Sequence, residues 1–183
     1  MTLFNRLKIA YLCWLSKPSP NRLIYRAICH HAVQKIVELG IGDGSRALHM
    51  IEMVRQHAPG VEIHYVGMDP FEGQSSPGGS GISLKEAYQS LRATGAKVQL
   101  VPGNPSDGLV RMANSLGKVD LLILPAEFDG TNTKAWNFVP RMLNEHSLVF
   151  VETIGADGLR SVRLMSRAEI DHAVSAATGR RAA

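Results

Sequence analysis

Apolar positions recur along this chain in two rhythms. From about residue 20 to residue 154, short apolar runs alternate with longer stretches in which apolar residues return every third or fourth position. The short runs are KIVEL (35–39), VEIHYVGM (61–68), AKVQLV (96–101), VDLLIL (119–124) and SLVFVET (147–153). Each has strand length, as expected of strands covered on both faces. The stretches between them carry helix start and stop signals. Ser19 before Pro20 reads as a cap followed by the favoured first helical position, and Leu23, Ile24, Ala27 and Ile28 then form a stripe. Ser45 caps RALHMIEMVRQHA, which stops at Pro59-Gly60. Ser83 and Glu86 make a capping box for a helix that runs through Ala93 and is closed by Gly95. Ser106 opens DGLVRMANSL, Gly117 ends it, and TKAWNFVPRML is helical with a bend at Pro140. GLRSVRLM (158–165) predicts a sixth strand and RAEIDHAVSAA (167–177) a last helix, which leaves little chain for a seventh strand.

Strand and helix in strict alternation predict an α/β three-layer sandwich. Its sheet would be mostly parallel, of five to six strands or at most seven, with helices on both faces. Right-handed crossovers then bring the strand C-termini to one edge, where ligands bind beside the point at which strand order reverses. No internal repeat or linker divides the chain after residue 19. Residues 1–18 read as an amphipathic N-terminal helix with Leu3, Leu7, Tyr11 and Trp14 or Leu15 on one face, and residues 19–183 as one domain. Packing on that domain is the plain expectation for the apolar face; a partner or membrane surface is the other.

The residues after each strand therefore carry the candidate chemistry. The first strand runs into Glu38-Leu39-Gly40-Ile41-Gly42-Asp43-Gly44, where glycines allow a tight turn and let a ligand reach the backbone. The helix N-terminus at Ser45 would offer unpaired N–H groups to an anionic ligand group. The second strand ends in Asp69-Pro70-Phe71 and the third in Gly103-Asn104-Pro105, with Asp107 as helix-start chemistry.

Glu38, Gly40, Gly42 and Gly44 together resemble the first motif of class I S-adenosylmethionine-dependent methyltransferases, (E/D)-x-G-x-G-x-G, at every defined position. The dinucleotide fingerprint G-x-G-x-x-G fails, because Ser45 stands where its third glycine belongs. The resemblance covers residues 20–154. It implies a Rossmann-like fold with S-adenosyl-L-methionine as cofactor. Gly40, Ile41, Gly42 and Gly44 would wrap the methionine moiety, with Glu38 near its ammonium end. Asp69 would accept both ribose hydroxyls, since a carboxylate offers two oxygens. Pro70 and Phe71 follow it, Phe71 either flanking the adenine or packing inward. Gly103, Asn104 and Pro105 would meet the adenine, with Asn104 where the family often has Asp. The resemblance implies methyl transfer to a small-molecule acceptor; the alternative is a non-catalytic cofactor-binding or scaffold protein of the same fold. No catalytic residue is assigned. In-line transfer from a sulfonium needs positioning and exclusion of water, and a base only where the acceptor must lose a proton.

Composition narrows this further. The formal charge of +4 permits an anionic partner, but no Lys/Arg cluster with interleaved aromatics marks a nucleic-acid surface. Two cysteines cannot make a disulfide scaffold, which fits a reduced, cytoplasmic setting. No apolar run approaches the ~20 residues that span a bilayer, and no small-x-small cleavage site follows the first apolar stretch. None of the seven histidines has zinc-site spacing. Pro125 stands at the tip of the fourth strand, where the metal-dependent branch of the family has Asp. Glu127, Asp129 and Glu152 accordingly read as solvated loop acids, and no metal is expected. Residues 72–82, EGQSSPGGSGI, are either a lid over the cofactor or a plain insert. A homodimer is left open.

Overall fold

Alternation along the inner strands sorts their side chains into two buried faces. A computed structural model describes residues 3–71, 81–128 and 133–179. The strands are β1 (Lys35–Leu39), β2 (His64–Asp69), β3 (Lys97–Pro102), β4 (Val119–Leu124), β5 (Leu143–Ile154) and β6 (Arg160–Leu164). They form one sheet in the order β3-β2-β1-β4-β5-β6. The first five are parallel, and β6 returns antiparallel beside β5. Strand order reverses between β1 and β4, so the crevice beyond their C-terminal ends is the expected ligand position.

The helices are α1 (Leu3–Trp14), α2 (Asn21–His30), α3 (Ser45–His57), α4 (Leu84–Ala93), α5 (Pro105–Leu116), α6 (Thr133–Trp136), α7 (Val139–Met142) and α8 (Arg167–Gly179). On one sheet face, Ile36, Tyr65, Leu121, Ile123 and Phe150 pack under α1 to α4 through Leu12, Ile24, Ile28, Met50, Val54 and Leu91. On the other, Val37, Met68, Leu122, Val149 and Val151 pack under α5 to α8 through Leu109, Ala113, Trp136, Val139 and Ile170. Neighbours such as Ile36 and Val37 are both fully buried yet belong to opposite layers, which is why central strands such as VDLLIL read as nearly continuous apolar runs.

Several local boundaries differ from the sequence pattern, each for a visible reason. Ser19 is not the cap of α2: Pro20 holds that position with no side-chain hydrogen bond. TKAWNFVPRML is two short helices, because Pro140 has no N–H and its ring would clash with the carbonyl four residues back. Strand β5 starts earlier than residue 147, with a register shift against β4 between Val119 and Leu121. Ser147 bridges that shift, its hydroxyl donating to the Val119 carbonyl at 2.6 Å and accepting from the Asn144 N–H at 2.7 Å. The capping box forms as expected, with the Glu86 N–H donating to Ser83 Oγ and the Ser83 N–H to Glu86 Oε2.

The apolar stripe of α1 does not pack on the domain. Leu3, Leu7, Tyr11, Trp14 and Leu15 face outward, and Leu12 and Cys13 on the opposite side are buried against the α2 and α3 layer. Helix rotation is fixed by polar contacts: Lys8 Nζ pairs with Glu52 of α3 at 2.7 Å, Ser16 Oγ donates to the Leu12 carbonyl, and Arg22 donates to the Ser16 and Leu15 carbonyls. A helix apolar on two arcs offers periodicity no way to choose between them.

The two-layer burial makes a direct stability prediction. Phe150→Ala, buried at 1% exposure on β5, should lower unfolding free energy by about 3–5 kcal/mol. Ile154→Ala, half exposed at the end of the same strand, should change it by less than about 0.5 kcal/mol. Urea midpoints of the two variants check the contrast.

Candidate functional site

The turn leaving β1 is held by β2. Gly40, Gly42 and Gly44 have φ of 77°, 65° and 79°, in the left-handed region that a side chain makes costly. The Gly40 N–H donates to the Met68 carbonyl at 2.8 Å, so pairing with β2 continues one residue past the strand. The Ile41 side chain turns back into the protein, buried with Phe71 and Ala87, over the bare backbone of Gly67. A Cβ at Gly67 would collide with Ile41 Cδ1. The Asp69 carboxylate completes the clamp. Its Oδ2 accepts the N–H groups of Ile41 at 2.8 Å and Gly42 at 3.3 Å, and its Oδ1 accepts that of Phe71 at 2.9 Å. Asp69 is 3% exposed, so its two oxygens serve mainly the backbone. Gly42 has nothing within 4 Å of where a Cβ would sit, and its open side faces the cleft.

Beneath the turn lies a buried charge cluster. Glu38 has no exposed surface; its Oε1 accepts from Arg46 Nε at 2.6 Å and its Oε2 from the Tyr65 hydroxyl at 2.5 Å. Arg46, from the first turn of α3, also pairs with Glu152 of β5 and donates to the Gly40 carbonyl at 3.2 Å. Arg160 of β6 stands 3.7 Å from the other oxygen of Glu152. Burial pushes the Glu38 carboxyl up, opposed by the Arg46 guanidinium and the Tyr65 hydroxyl. Burial also works against the Arg46 charge, but Glu38 and Glu152 outweigh it and hold its pKa above the ordinary value. Burial and the Glu38 charge together raise Tyr65, which stays a neutral donor.

Above these groups a cleft of about 580 Å³ opens at the C-terminal edge of the sheet, a volume within the usual range for small-ligand sites. Gly40, Ile41, Gly42, Asp69, Pro70, Asn104 and Pro105 all line it. Glu38, Gly44, Phe71 and Gly103 do not. Glu38 lies under the floor, Gly44 is the left-handed N-cap of α3, and Phe71 packs inward with φ of 54°. The Gly103 N–H donates to the Asp69 carbonyl at 3.1 Å. Two expected ligand contacts are altered by local chemistry. Asn104 Oδ1 caps α5, accepting from Ser106 N at 2.9 Å and Asp107 N at 3.3 Å, so this carbonyl is already engaged. The Ser45 hydroxyl donates to Asp43 Oδ1 at 2.7 Å and the Ser45 N–H, expected to await an anion, donates to the same oxygen at 3.0 Å; these hydrogen bonds hold the Asp43 carboxyl below its usual range.

Glu152 is not a solvated loop acid; it is 13% exposed and ion-paired. Asp129 and most of the 72–82 segment lie outside the described residues. Among the described residues, no three His, Cys, Asp or Glu side chains come together as a metal site, and no histidine lines the cleft. The sequence reading missed Arg46, the Pro18–Asn21 wall and the β6 residues Arg160 and Ser161. Arg46 had a signal: a cation in the first turn of a helix opposes the helix dipole, and an acid enclosed by the apolar residues Ile36, Val37 and Leu39 of β1 needs a partner.

No family model matches the chain, and no curated protein matches it in sequence. Solved structures match it in fold. A precorrin-6y C5,15-methyltransferase from Geobacter metallireducens superposes with a TM-score of 0.50 at 14% identity, over 79% of this chain and 66% of that one. A TDP-rhamnose 3'-O-methyltransferase of calicheamicin biosynthesis gives 0.56 at 15% identity, over 85% and 80%. An O-methyltransferase from Bacillus cereus, solved in complex with SAH, gives 0.56 at 11% identity, over 86% and 70%. The chain spans 66% of the length of the precorrin enzyme. It has the Rossmann-like fold of class I methyltransferases.

Two stability predictions follow from the buried polar groups. Asp69→Asn should cost about 2 kcal/mol with no ligand present, because it turns an amide N–H group toward backbone donors. An unchanged urea midpoint would mean that the carboxylate does not clamp the turn. Arg46→Ala should cost about 3–5 kcal/mol by stranding Glu38. Adding Glu38→Gln should recover part of that loss, a non-additivity readable in a double-mutant cycle.

Proposed function

We propose that this chain binds S-adenosyl-L-methionine in the cleft at the β1–β4 switch point and transfers its methyl group to a small-molecule acceptor. The observation that carries the reading is Gly42: a left-handed glycine, with no atom near its missing Cβ, at the open floor of a cleft of about 580 Å³. A backbone bared at this point suits close approach by the cofactor's methionine portion. The motif resemblance and the methyltransferase neighbours support the same ligand, one of those neighbours having been solved with SAH.

The residues present fit such a ligand with altered roles. Gly40, Ile41 and Gly42 would contact it through backbone, with Gly44 shaping the turn and the start of α3. Asp69 would fix the turn that receives it, its remaining lone pair reaching one ribose hydroxyl at most. Pro70, Asn104 and Pro105 would border the adenine, with Gly103 and Phe71 supporting them from behind. Glu38 would act through Arg46 rather than on the ammonium directly. The cofactor, when bound, supplies a methyl group already activated by a sulfonium. The chain's part is then to hold acceptor and methyl in line and to exclude water.

A non-catalytic cofactor-binding protein is the second reading. It is favoured by the carboxylates Glu38, Asp69 and Glu152, all engaged by N–H donors rather than poised as bases. Calorimetry with S-adenosylmethionine, S-adenosylhomocysteine and NAD tests the site. The first two should bind and NAD should not. Gly42→Val should weaken binding at least about tenfold, because its side chain projects into the cleft; unchanged affinity would remove the site from this turn. Labelled-methyl transfer to small molecules then separates enzyme from binding protein.

A further inference from the structure

Helix α1 buries one side and leaves a second apolar side bare. Leu3, Phe4, Leu7, Tyr11, Trp14 and Leu15 are 54–74% exposed. At 3.6 residues per turn they form one continuous arc of ~120° along the whole helix. Isolated exposed apolar residues are ordinary, but an aligned set of this size marks an interaction surface. It differs from a core-facing stripe, because Leu12 and Cys13 already serve that purpose on the other side.

Helices α1 and α2 carry cations and no acid of their own. Glu38 is the first acidic residue of the sequence, whereas Arg6, Lys8, Lys17, Arg22, Arg26 and Lys35 all precede it. Arg6 lies at one margin of the arc and Lys8, paired with Glu52 of α3, at the other, while Lys17 follows two residues beyond Leu15 at its C-terminal end. Between α1 and α2 runs a groove of about 390 Å³, walled by Ile9, Cys13 and Trp14 and rimmed by Arg6, Arg26 and His30. Arg26 stacks on the Trp14 ring at 5.1 Å, and its Nε is buried without a hydrogen-bond partner among the described residues.

We propose that the outward face of α1 docks on an anionic phospholipid surface. Its apolar arc enters the headgroup boundary, and the flanking cations meet lipid phosphates. Aromatic residues on the apolar side and basic residues at its margins are the composition of a helix lying in a membrane interface. No helix of the described residues is long and apolar enough to cross a membrane, so α1 lies on the surface. A second copy fits the face less well. A two-fold pairing of α1 would bring the acid-free, basic surface of α1 and α2 against its own copy, whereas anionic headgroups neutralise it. The proposal stands independently of what the cleft binds.

Sedimentation with vesicles tests it on the full chain. One set is phosphatidylcholine alone and the other phosphatidylcholine mixed with phosphatidylglycerol, at low and high salt. The chain should pellet with the mixed vesicles at low salt and be released by high salt. Trp14 emission should shift to the blue on binding; Trp136, 3% exposed in the core, should not respond. Leu3→Asn with Leu7→Asn should weaken binding about tenfold or more, with the thermal midpoint changed little because both side chains are exposed. Arg6→Gln with Lys17→Gln should weaken it only toward anionic vesicles. Failure to pellet with the mixed vesicles overturns the proposal, and so does equal binding to both sets. A concentration-dependent dimer abolished by Leu7→Asn, with no vesicle binding, would assign the face to a second copy instead.

Discussion

The site depends on one carboxylate that grips three backbone amides. Asp69 ends β2 and reaches across to the turn that follows β1, so two adjacent strands present a single fixed surface at the sheet edge. Without it the Ile41 N–H would be buried with no acceptor, and the left-handed glycines would have several accessible shapes rather than one. Ile41 reinforces the clamp from below, and only the glycine at position 67 gives it room. The position a ligand would approach, Gly42, is bare because its neighbours on either side are pinned.

A second layer of order lies beneath. Arg46 joins α3 to β1 through Glu38 and to β5 through Glu152, so one guanidinium ties together both strands that flank β4. Buried ion pairs contribute little net stability when well-packed apolar groups could replace them. Their value here is geometric: the helix start, the glycine turn and the β5 tip are fixed relative to one another. The arrangement also carries consequences for ligand chemistry. Acids that a motif would assign to substrate or cofactor are already partnered by the protein, so recognition of the proposed ligand would fall to backbone and shape.

The N-terminal helix belongs to a different problem. It contributes little to the sheet core, yet its connection to α2 forms one wall of the cleft through Pro18 and Pro20. A surface contact along α1 would therefore end at the site's edge.

The alternation of apolar runs and helical stripes was enough to give the α/β architecture, the parallel strands and the sheet edge where candidate residues gather. That pattern is set by local periodicity and by the handedness of crossovers, both carried by the chain itself. The glycines at 40, 42 and 44 were legible for the same reason, since a left-handed turn restricts residue type directly. What side chains do at that edge was not legible. Asp69 and Asn104 look from sequence like ligand-binding groups, and the fold turns them toward backbone amides. Glu38 looks like a cofactor contact and becomes half of a buried ion pair with Arg46. The outward rotation of α1 was equally hidden, because its two apolar arcs are equivalent until Lys8 finds Glu52. Hydrogen-bond partners and helix rotation depend on which distant residues come within about 3 Å, and only the tertiary structure decides that.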